Sequence, residues 1–417
     1  MNQEGEGLLT PYRVLDLTDE RGFICGRMLA DLGADVIKIE PPGGDPCRNI
    51  GPFYHDVPDP ERSLHWFAYN ANKRGITLDI ESDDGGELFK SLAKGAHFVI
   101  ESFAPGYMDS LGLGYGELSH VNPAIIVTSI TPFGQTGPYS RYNASDIVEM
   151  ATCGLMYLCG DPDRPPVRIS VPQAYLHGGA DAAVQTLVAH YYRETSGSGQ
   201  WVDVSIQQAA FMTTFNSSWF WELNKRNLTR AGAWRTGLTS GVLQRQIWPC
   251  KDGYINMPVY GGAVGAKTNR LLTEWMDREG MCDDFLRGID WDNFDMGQLT
   301  QEVWSKIEGL MVRFFKSHTK EELYREALRL NIMVYPVSTP KDIAENEQLG
   351  SREFWLEMDH PELGDTITYP GPAARASLTP AKVLRRAPYI GEHNQEVYGE
   401  LGLSGDDLVV LKQSGVV

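Results

Sequence analysis

Hydrophobic and polar positions along the first 130 residues alternate between short β-rich runs and stretches with helical spacing. The β-rich runs are Tyr12–Leu17, Asp35–Ile39, Ile76–Ile80, His97–Glu101 and Ala124–Ile130. Between them, Ile24–Leu32 and Glu87–Leu92 carry apolar residues at helical spacing, and Gly33 stands where a helix-ending glycine is expected. Strands that interleave with helices predict βαβ units, and therefore a parallel α/β sheet with helices on both faces.

Ligands of such sheets bind at the carboxyl ends of the strands. Here those ends carry polar or glycine-containing segments, namely Asp16–Thr18, Glu40–Asp45, Ser102–Gly106 and Thr131–Gly134. Gly43-Gly44 is either a phosphate-contacting turn or a plain turn, and Lys73-Arg74 is either a phosphate-binding or a solvated pair. We therefore expect a binding site along this edge of the sheet.

The pattern changes further along the chain. Gly160–Pro172 is rich in proline and charge, which predicts an irregular segment, and a long helix is predicted over Tyr175–Glu194. From Trp219 to Phe315 the alternation is less regular, which indicates a smaller α+β domain.

Composition excludes several classes of function. Lys and Arg number 37 against 55 Asp and Glu, and the resulting net charge of −18 is unsuited to nucleic acid or to an anionic membrane surface. The chain has no apolar run long enough to span a membrane, and its first residues do not resemble a signal peptide. The six cysteines lack metal-ligand spacing, so we expect reduced thiols, no metal and a cytoplasmic protein.

Several short sequence motifs are spread over most of the chain. They are Asp16–Thr18, Ala30–Asp45, Asn72–Asp79, Glu101–Gly106, Gly134–Pro138, Gly197–Val204 and Ala387–Asn394. In the order and spacing of these motifs, from about Tyr12 to Gly402, the sequence resembles the family III CoA-transferases (the CaiB/BaiF family, with the formyl-CoA and carnitine CoA-transferases). The resemblance implies a Rossmann-like large domain built from both ends of the chain and an inserted small α+β domain. The expected bounds are residues 1–224 and 326–417 for the large domain and residues 225–325 for the small one. It also implies that two chains interlock as a dimer.

The resemblance also implies a chemistry. In that family an aspartate carboxylate attacks an acyl-CoA thioester to form a mixed anhydride, and coenzyme A is a substrate, with no cofactor. The family pattern places CoA contacts at Arg21, Gly22, Leu78, Asp79, Ser102, Phe103 and Ala104. Arg141 is a candidate for the CoA phosphates, with a structural ion pair as the alternative. Pro41 and Ser110 stand where arginines often lie, which predicts weak CoA binding by this chain alone.

The nucleophile segment departs from the family pattern. Pro166–Gly179 reads PVRISVPQAYLHGG, and the position of the family's aspartate falls on Tyr175. Pro172 sets the register on one side and Gly179 on the other, and Asp181 faces a different side of the helix. A phenol has an ordinary pKa near 10 and gives an aryl ester, a poorer acyl-transfer intermediate than an anhydride. The sequence therefore predicts that no convincing catalytic residue lies on this chain.

The same departure disfavours a second enzyme class. The racemases of the family use that aspartate and a histidine in a Gly-His-Asp segment as bases. The matching residues here are Ala144-Ser145-Asp146, so both bases are missing. His177, in the first turn of the long helix, is a further candidate base, with packing or capping as the alternative.

Three hypotheses follow for the function. The first is one subunit of a heteromeric CoA-transferase, resembling the two-subunit succinyl-CoA:benzylsuccinate type of anaerobic aromatic hydrocarbon degradation, with the aspartate supplied by a paralogous partner. The second is a homodimeric CoA-transferase with a non-Asp mechanism, and the third is a non-catalytic CoA-binding protein. The aromatic stretch Phe211–Trp221 suits either a bulky apolar acid substrate or core packing.

Overall fold

A computed structural model describes residues 7–237 and 240–417, and these form two compact units. The large unit comprises residues 7–156, 168–224 and 347–417, and the small unit comprises residues 157–167 and 225–346 apart from the undescribed pair. The small unit starts at the predicted residue 225 but continues past residue 325 to Asn346. It continues because Tyr335–Pro336 forms a strand of its sheet.

The elements follow each other in this order. The strands are β1 (Arg13–Leu17), β2 (Asp35–Glu40), β3 (Arg74–Thr77), β4 (Phe98–Glu101), β5 (Ile126–Thr131), β6 (Trp201–Ser205), β7 (Trp234–Thr236), β8 (Leu243–Arg245), β9 (Ile247–Cys250), β10 (Gly253–Asn256), β11 (Tyr335–Pro336), β12 (Trp355–His360) and β13 (Asp365–Pro370). The helices are α1 (Phe23–Asp31), α2 (Leu64–Asn70), α3 (Asp83–Lys94), α4 (Tyr107–Ser110), α5 (Tyr115–Val121), α6 (Asp146–Thr152), α7 (Ala174–Ser196), α8 (Ile206–Phe211), α9 (Ser217–Asn224), α10 (Gly262–Arg278), α11 (Asp284–Arg287), α12 (Gln301–Lys316), α13 (Lys320–Leu330), α14 (Pro340–Ala344), α15 (Glu347–Ser351), α16 (Asn394–Gly399) and α17 (Gly405–Gln413).

The large unit is built on a parallel sheet with the strand order β3-β2-β1-β4-β5-β6. Val14 of β1 lies opposite Val36 of β2 on one side and Phe98 of β4 on the other. This is the strand order of dinucleotide-binding Rossmann sheets, in which all carboxyl ends meet at one edge. The predicted α/β, Rossmann-like fold class is confirmed, and the CoA contacts predicted at Arg21, Leu78 and Ser102 follow three of these ends.

Two hydrophobic cores cover the two faces of this sheet. Alternate residues of β1 divide between them, with Val14 in the core formed with α1 and α7 and Leu15 in the core formed with α3 and α5. Gly179 of α7 permits the close approach of α1, because a Cβ at this position would lie 2.3 Å from a methyl carbon of Ile24. The small residues at the start of α7 therefore serve helix packing.

The small unit has its own core. Its strands form an antiparallel sheet in the order β11-β10-β9 and a β7–β8 hairpin. Trp248, Trp304 and Phe314 are fully buried among the residues of its core. The small unit therefore contains both helices and antiparallel strands.

The third strand differs from the prediction. β3 covers Arg74–Thr77 and not Ile76–Ile80, because its pairing with β2 begins at Arg74, opposite Ile37, and ends at Thr77, opposite Glu40. Lys73-Arg74 is interpreted from the sequence as either a phosphate-binding or a solvated pair, and neither interpretation is correct. Lys73 is fully buried and donates a hydrogen bond of 2.8 Å to Asp16 Oδ2, so it is neither solvated nor available to a phosphate.

Candidate functional site

The carboxyl ends of β1 and β4 form the centre of the predicted binding edge. The Ser102 hydroxyl donates to Asp19 Oδ1 at 2.9 Å and accepts the Asp19 backbone N–H at 2.8 Å. Arg21 forms an ion pair with Asp19, with 2.5 Å between Nη2 and Oδ2. The adjacent strands therefore bring together Arg21 and Ser102, two residues predicted to contact CoA.

Gly22 and Leu78 have clear packing roles at this edge. Gly22 caps α1, and a Cβ there would lie 2.5 Å from Thr18 Cγ2, so the position requires glycine. Leu78 is buried in the core, and its N–H donates to the Glu40 carbonyl. The packing of these residues is therefore explained without a ligand.

A second part of the edge joins the ends of β3 and β4. The Tyr107 hydroxyl donates to Glu81 Oε1 at 2.5 Å, and the ring of Phe103 lies 4.7 Å from that of Tyr107. The Asp79 N–H is occupied by the Val416 carbonyl, while Ala104 is exposed. The segments around Asp79 and Phe103 therefore lie side by side, and their contacts with CoA remain a prediction.

Arg141 lies apart, in the exposed loop after β5. Over residues 7–237 and 240–417 no ion pair involves its guanidinium, so the structural ion pair considered for it does not form. The loop also holds Tyr139 and Tyr142, whose rings stack at 5.3 Å. The candidate phosphate role of Arg141 remains a prediction.

A cavity of about 230 Å³ lies beside the ends of β4 and β5. Its lining includes Glu101, Ala104, Tyr115, Ser129 and Trp201. Burial raises the pKa of Glu101 to about 7, even though Ser129 and the Phe103 N–H bind its carboxylate. Sequence reasoning placed Glu101 within a family motif but did not find this cavity, because the lining comes from four separate segments.

Tyr175, at the nucleophile position, is nearly buried at the start of α7. Its hydroxyl oxygen accepts the Asp146 backbone N–H at 3.0 Å. The Asp146 carboxylate in turn accepts the N–H groups of Gln173 and Ala174 at 2.7 and 2.8 Å, which occupies the amino end of α7. Burial first, and then the charges of Glu149 and Glu20, raise the pKa of the Tyr175 phenol above its ordinary value.

Glu149, one helical turn after Asp146 in α6, was missed by sequence reasoning. It is fully buried, and neither of its carboxylate oxygens has a hydrogen-bond partner among the residues the structure describes. Burial and Asp146 raise its pKa to about 8, against the attraction of Arg21. The available signal was an acidic residue inside the otherwise apolar run Ile147–Ala151.

His177 is partly buried on the first turn of α7, and no hydrogen bond of its ring is found in the described part of the chain. The six cysteines are free thiols. Within the described ranges, no group of three or more His, Cys, Asp or Glu side chains is placed to hold a metal ion. The helices described here include none that is long and apolar enough to cross a membrane.

The sequence profile of CoA-transferase family III matches residues 9–394. The chain is 36% identical to subunit BbsE of succinyl-CoA:(R)-benzylsuccinate CoA-transferase from Thauera aromatica, over 97% of each chain. It is 30% identical to succinyl-CoA–D-citramalate CoA-transferase from Chloroflexus aurantiacus, over 98% of each chain. A crystal structure of a CaiB/BaiF family protein from Brucella suis superposes with a TM-score of 0.79 at 25% identity, covering 96% of this chain and 100% of that one.

The fold and these relatives define an enzyme that transfers coenzyme A. The chain belongs to CoA-transferase family III. The resemblance inferred from the sequence motifs is therefore confirmed, together with the enzyme class.

Proposed function

We propose that this chain is one subunit of a CoA-transferase that moves CoA from succinyl-CoA to an arylsuccinate such as benzylsuccinate. A paralogous partner subunit supplies the nucleophilic aspartate. The single observation that carries the proposal is Tyr175 at the aspartate position. The 36% identity to a relative named as a subunit of a benzylsuccinate CoA-transferase supports the choice of substrate and the heteromer.

The surroundings of Tyr175 argue against tyrosine as a replacement nucleophile. Its oxygen already accepts a hydrogen bond from the Asp146 N–H, and its raised pKa keeps the phenol neutral near pH 7. A neutral phenol is a weak nucleophile towards a thioester. The carboxylate that forms the anhydride must therefore come from another position.

An exposed apolar stripe on α7 supports a partner chain. Val184, Val188, Tyr191 and Tyr192 follow one another at helical spacing, and each is more than half exposed. A contiguous apolar surface of this kind is typical of an interface with another protein. We place the partner subunit against it, in an interlocked dimer, and sedimentation that gives a monomer at micromolar concentration would contradict this part of the proposal.

The proposed reaction needs no cofactor. The partner's aspartate attacks the thioester carbonyl of succinyl-CoA, and the CoA thiolate leaves. The arylsuccinate carboxylate displaces succinate from the mixed anhydride, and the thiolate then attacks the arylsuccinyl carbonyl to regenerate the aspartate. This chain contributes CoA contacts at the strand ends, around Arg21, Ser102 and Phe103, in a cytoplasmic enzyme.

Reconstitution tests the proposal. The purified chain alone should transfer CoA at less than about a thousandth of the rate of its complex with the Asp-bearing paralogue, the loss expected when a nucleophile is missing. Hydroxylamine trapping in the complex should mark the partner's aspartate and leave Tyr175 unmodified. Robust transfer by the pure homomer that is abolished in Tyr175→Phe would overturn the proposal and make the tyrosine catalytic.

Calorimetry distinguishes the proposed subunit from the remaining alternative, a non-catalytic CoA-binding protein. Pro41 and Ser110 are exposed near the binding edge, where arginines would attract the CoA phosphates. The chain alone should therefore bind CoA weakly. Submicromolar affinity without any transfer in the presence of the paralogue would favour the binding protein.

A further inference from the structure

Glu149 stands beside the vacated nucleophile position. It lies in α6, whose first residue, Asp146, binds both the Tyr175 hydroxyl and the amino end of α7. Glu149 and Tyr175 interact electrostatically, and Arg21 acts on both of them. The chain thus lacks a carboxylate at position 175 of α7 but has one at position 149 of the adjacent helix.

The carboxyl group of Glu149 has no structural role that accounts for it. It is fully buried, and neither oxygen accepts or donates a hydrogen bond within the part of the chain that the structure describes. An unsatisfied buried polar group is costly, by about 1–3 kcal/mol in general and more for charged groups. Such groups are rare in folded proteins, and they concentrate where a function requires them.

The charges around Glu149 favour any form of the side chain that is neutral. Asp146 on its own helix, together with Asp19 and Glu20 after β1, repels a negative charge on Glu149, and Arg21 attracts it. Protonation removes the charge of the carboxylate, and so does acylation. The surroundings that stabilise the protonated acid therefore also stabilise an acyl anhydride relative to the free carboxylate.

We propose that Glu149 is an acyl-accepting carboxylate at this chain's own site, and hence a catalytic residue for CoA transfer. A carboxylate oxygen of Glu149 attacks the thioester carbonyl carbon, a C–O bond forms, the C–S bond breaks, and the CoA thiolate leaves with the electron pair. The acceptor acid displaces the donor acid from the anhydride, and attack of the thiolate on the acceptor acyl carbon restores Glu149. The inference rests on the proposed CoA-transfer chemistry, but not on the partner's aspartate.

The burial of Glu149 determines the rate expected of this site. Only the ionised fraction of Glu149 can attack a thioester, and with a pKa of about 8 this fraction is the minor one near pH 7. An acyl-CoA also reaches the fully buried carboxyl group only after the side chains that cover it move. Acylation of Glu149 is slow for both reasons. The partner's aspartate therefore carries most of the flux in the complex. Replacing that aspartate with asparagine should lower transfer about a thousandfold or more and leave a residual activity that depends on Glu149.

The test uses the complex whose partner carries that Asp→Asn substitution. Incubation with succinyl-CoA and hydroxylamine should convert Glu149 to its hydroxamate, which peptide mass spectrometry locates. Hydroxylamine also cleaves succinyl-CoA directly, so a reaction without enzyme is the control for the release of CoA. With heavy-oxygen-labelled acceptor acid, one labelled oxygen should appear in the Glu149 carboxylate. Glu149→Gln should abolish both marks and the residual transfer, whereas Glu117→Gln, on the exposed side of α5, should change neither.

The outcomes separate this inference from the proposed function. An unmodified Glu149 peptide after prolonged incubation overturns the inference, and so does residual transfer that Glu149→Gln leaves unchanged. Because the mark on wild-type Glu149 needs no substitution in this chain, misfolding of a variant does not affect the decision. Failure of the proposed function has a different signature, since the complex with both wild-type chains would then transfer no CoA to an arylsuccinate.

Discussion

Two of the sites at which the large unit buries a carboxylate, around Asp16 and around Glu149, differ in how that charge is compensated. Near the carboxyl end of β1, Asp16 accepts hydrogen bonds from Lys73 Nζ at 2.8 Å and from the Thr18 hydroxyl at 2.7 Å. Lys38 lies in the same network and donates to the Thr18 carbonyl. Burial alone would raise the pKa of Asp16, but Lys73 and Lys38 outweigh it and keep this carboxylate ionised.

At the junction of α6 and α7, burial outweighs the attraction of the nearby cation. Glu149 is as deeply buried as Asp16, but Arg21, the cation that acts on it, is bound to Asp19. Its pKa of about 8 keeps most of the carboxyl protonated near pH 7. Equal burial therefore has opposite consequences, because the first carboxylate has its counterions in contact and the second does not.

The comparison separates a structural role from a reactive one. A paired carboxylate such as Asp16, both of whose oxygens accept hydrogen bonds, holds strands and loops together, and its counterions lower its reactivity. An unpaired carboxyl group such as Glu149 forms no hydrogen bond that stabilises the fold. Its neutral forms, with a proton or an acyl group on the carboxylate, are more stable in these surroundings than its ionised form. Four predictions test this difference, beginning with the largest effect.

Lys73→Met should break the paired network. It leaves the Asp16 carboxylate buried without the contact that neutralises it, and the loss of one partner of a buried pair costs about 3–5 kcal/mol of unfolding free energy. Chemical denaturation of the purified variant measures this loss. Lys90→Met, which removes the exposed ion pair with Glu87, is the matched control and should have little effect; an equally small effect of Lys73→Met would refute the structural role of the network.

Glu149→Gln should change the pH dependence of stability. The folded-state pKa is raised to about 8, whereas the unfolded value is near 4.3. The folded chain therefore binds more protons between these values, and wild-type stability falls as the pH rises through this window. Glutamine has no proton to lose, so the variant should be more stable than wild type at pH 8, by about 1–3 kcal/mol.

Unfolding curves at pH 5 and pH 8 for wild type, Glu149→Gln and the control Glu117→Gln decide this prediction. The difference between wild type and Glu149→Gln should grow with pH, while Glu117→Gln should follow wild type at both values. A pH-independent difference would mean that Glu149 is ionised in the folded chain, like Asp16, and the comparison would fail.

Tyr175→Phe should have a smaller effect. It removes one hydrogen bond, from the Asp146 N–H to the phenol oxygen, and a bond of this kind contributes about 1 kcal/mol to stability. Transfer by the complex should be nearly unchanged, since the phenol is not the nucleophile. Denaturation and steady-state assays measure the two effects.

The complementary variant Tyr175→Asp places a carboxylate beside Asp146 and Glu149, and hydroxylamine trapping shows whether a further anhydride forms there.

Arg141→Ala should have the smallest effect on stability. The side chain is exposed and makes no ion pair with any described residue, so the unfolding midpoint should not move. If the guanidinium binds the CoA phosphates, the affinity of the complex for CoA should fall and should depend less on salt. Titration of CoA at two ionic strengths measures this, and an unchanged affinity would remove Arg141 from the candidate site.

Much of the fold was predictable from local pattern. The β-rich runs gave strands within a few residues of β1, β2, β4 and β5, because buried parallel strands read as short apolar runs between helical stretches. The long helix over Tyr175–Glu194 appears as α7, Ala174–Ser196. The order and spacing of the motifs are enough to identify the family, and their register alone places Tyr175 at the nucleophile position.

The tertiary structure decided what pairs with what, since pairing depends on distances between segments far apart in the chain. Lys73 has the sequence context of a solvated or phosphate-binding residue, but the fold places it against Asp16, which is 57 residues away. Glu149 is an ordinary acid in an apolar run of the sequence, but the packing of α6 beside α7 buries it without a partner among the described residues. Residue types and their order are written in the sequence, whereas burial and the presence of a counterion determine whether a carboxylate is paired or reactive.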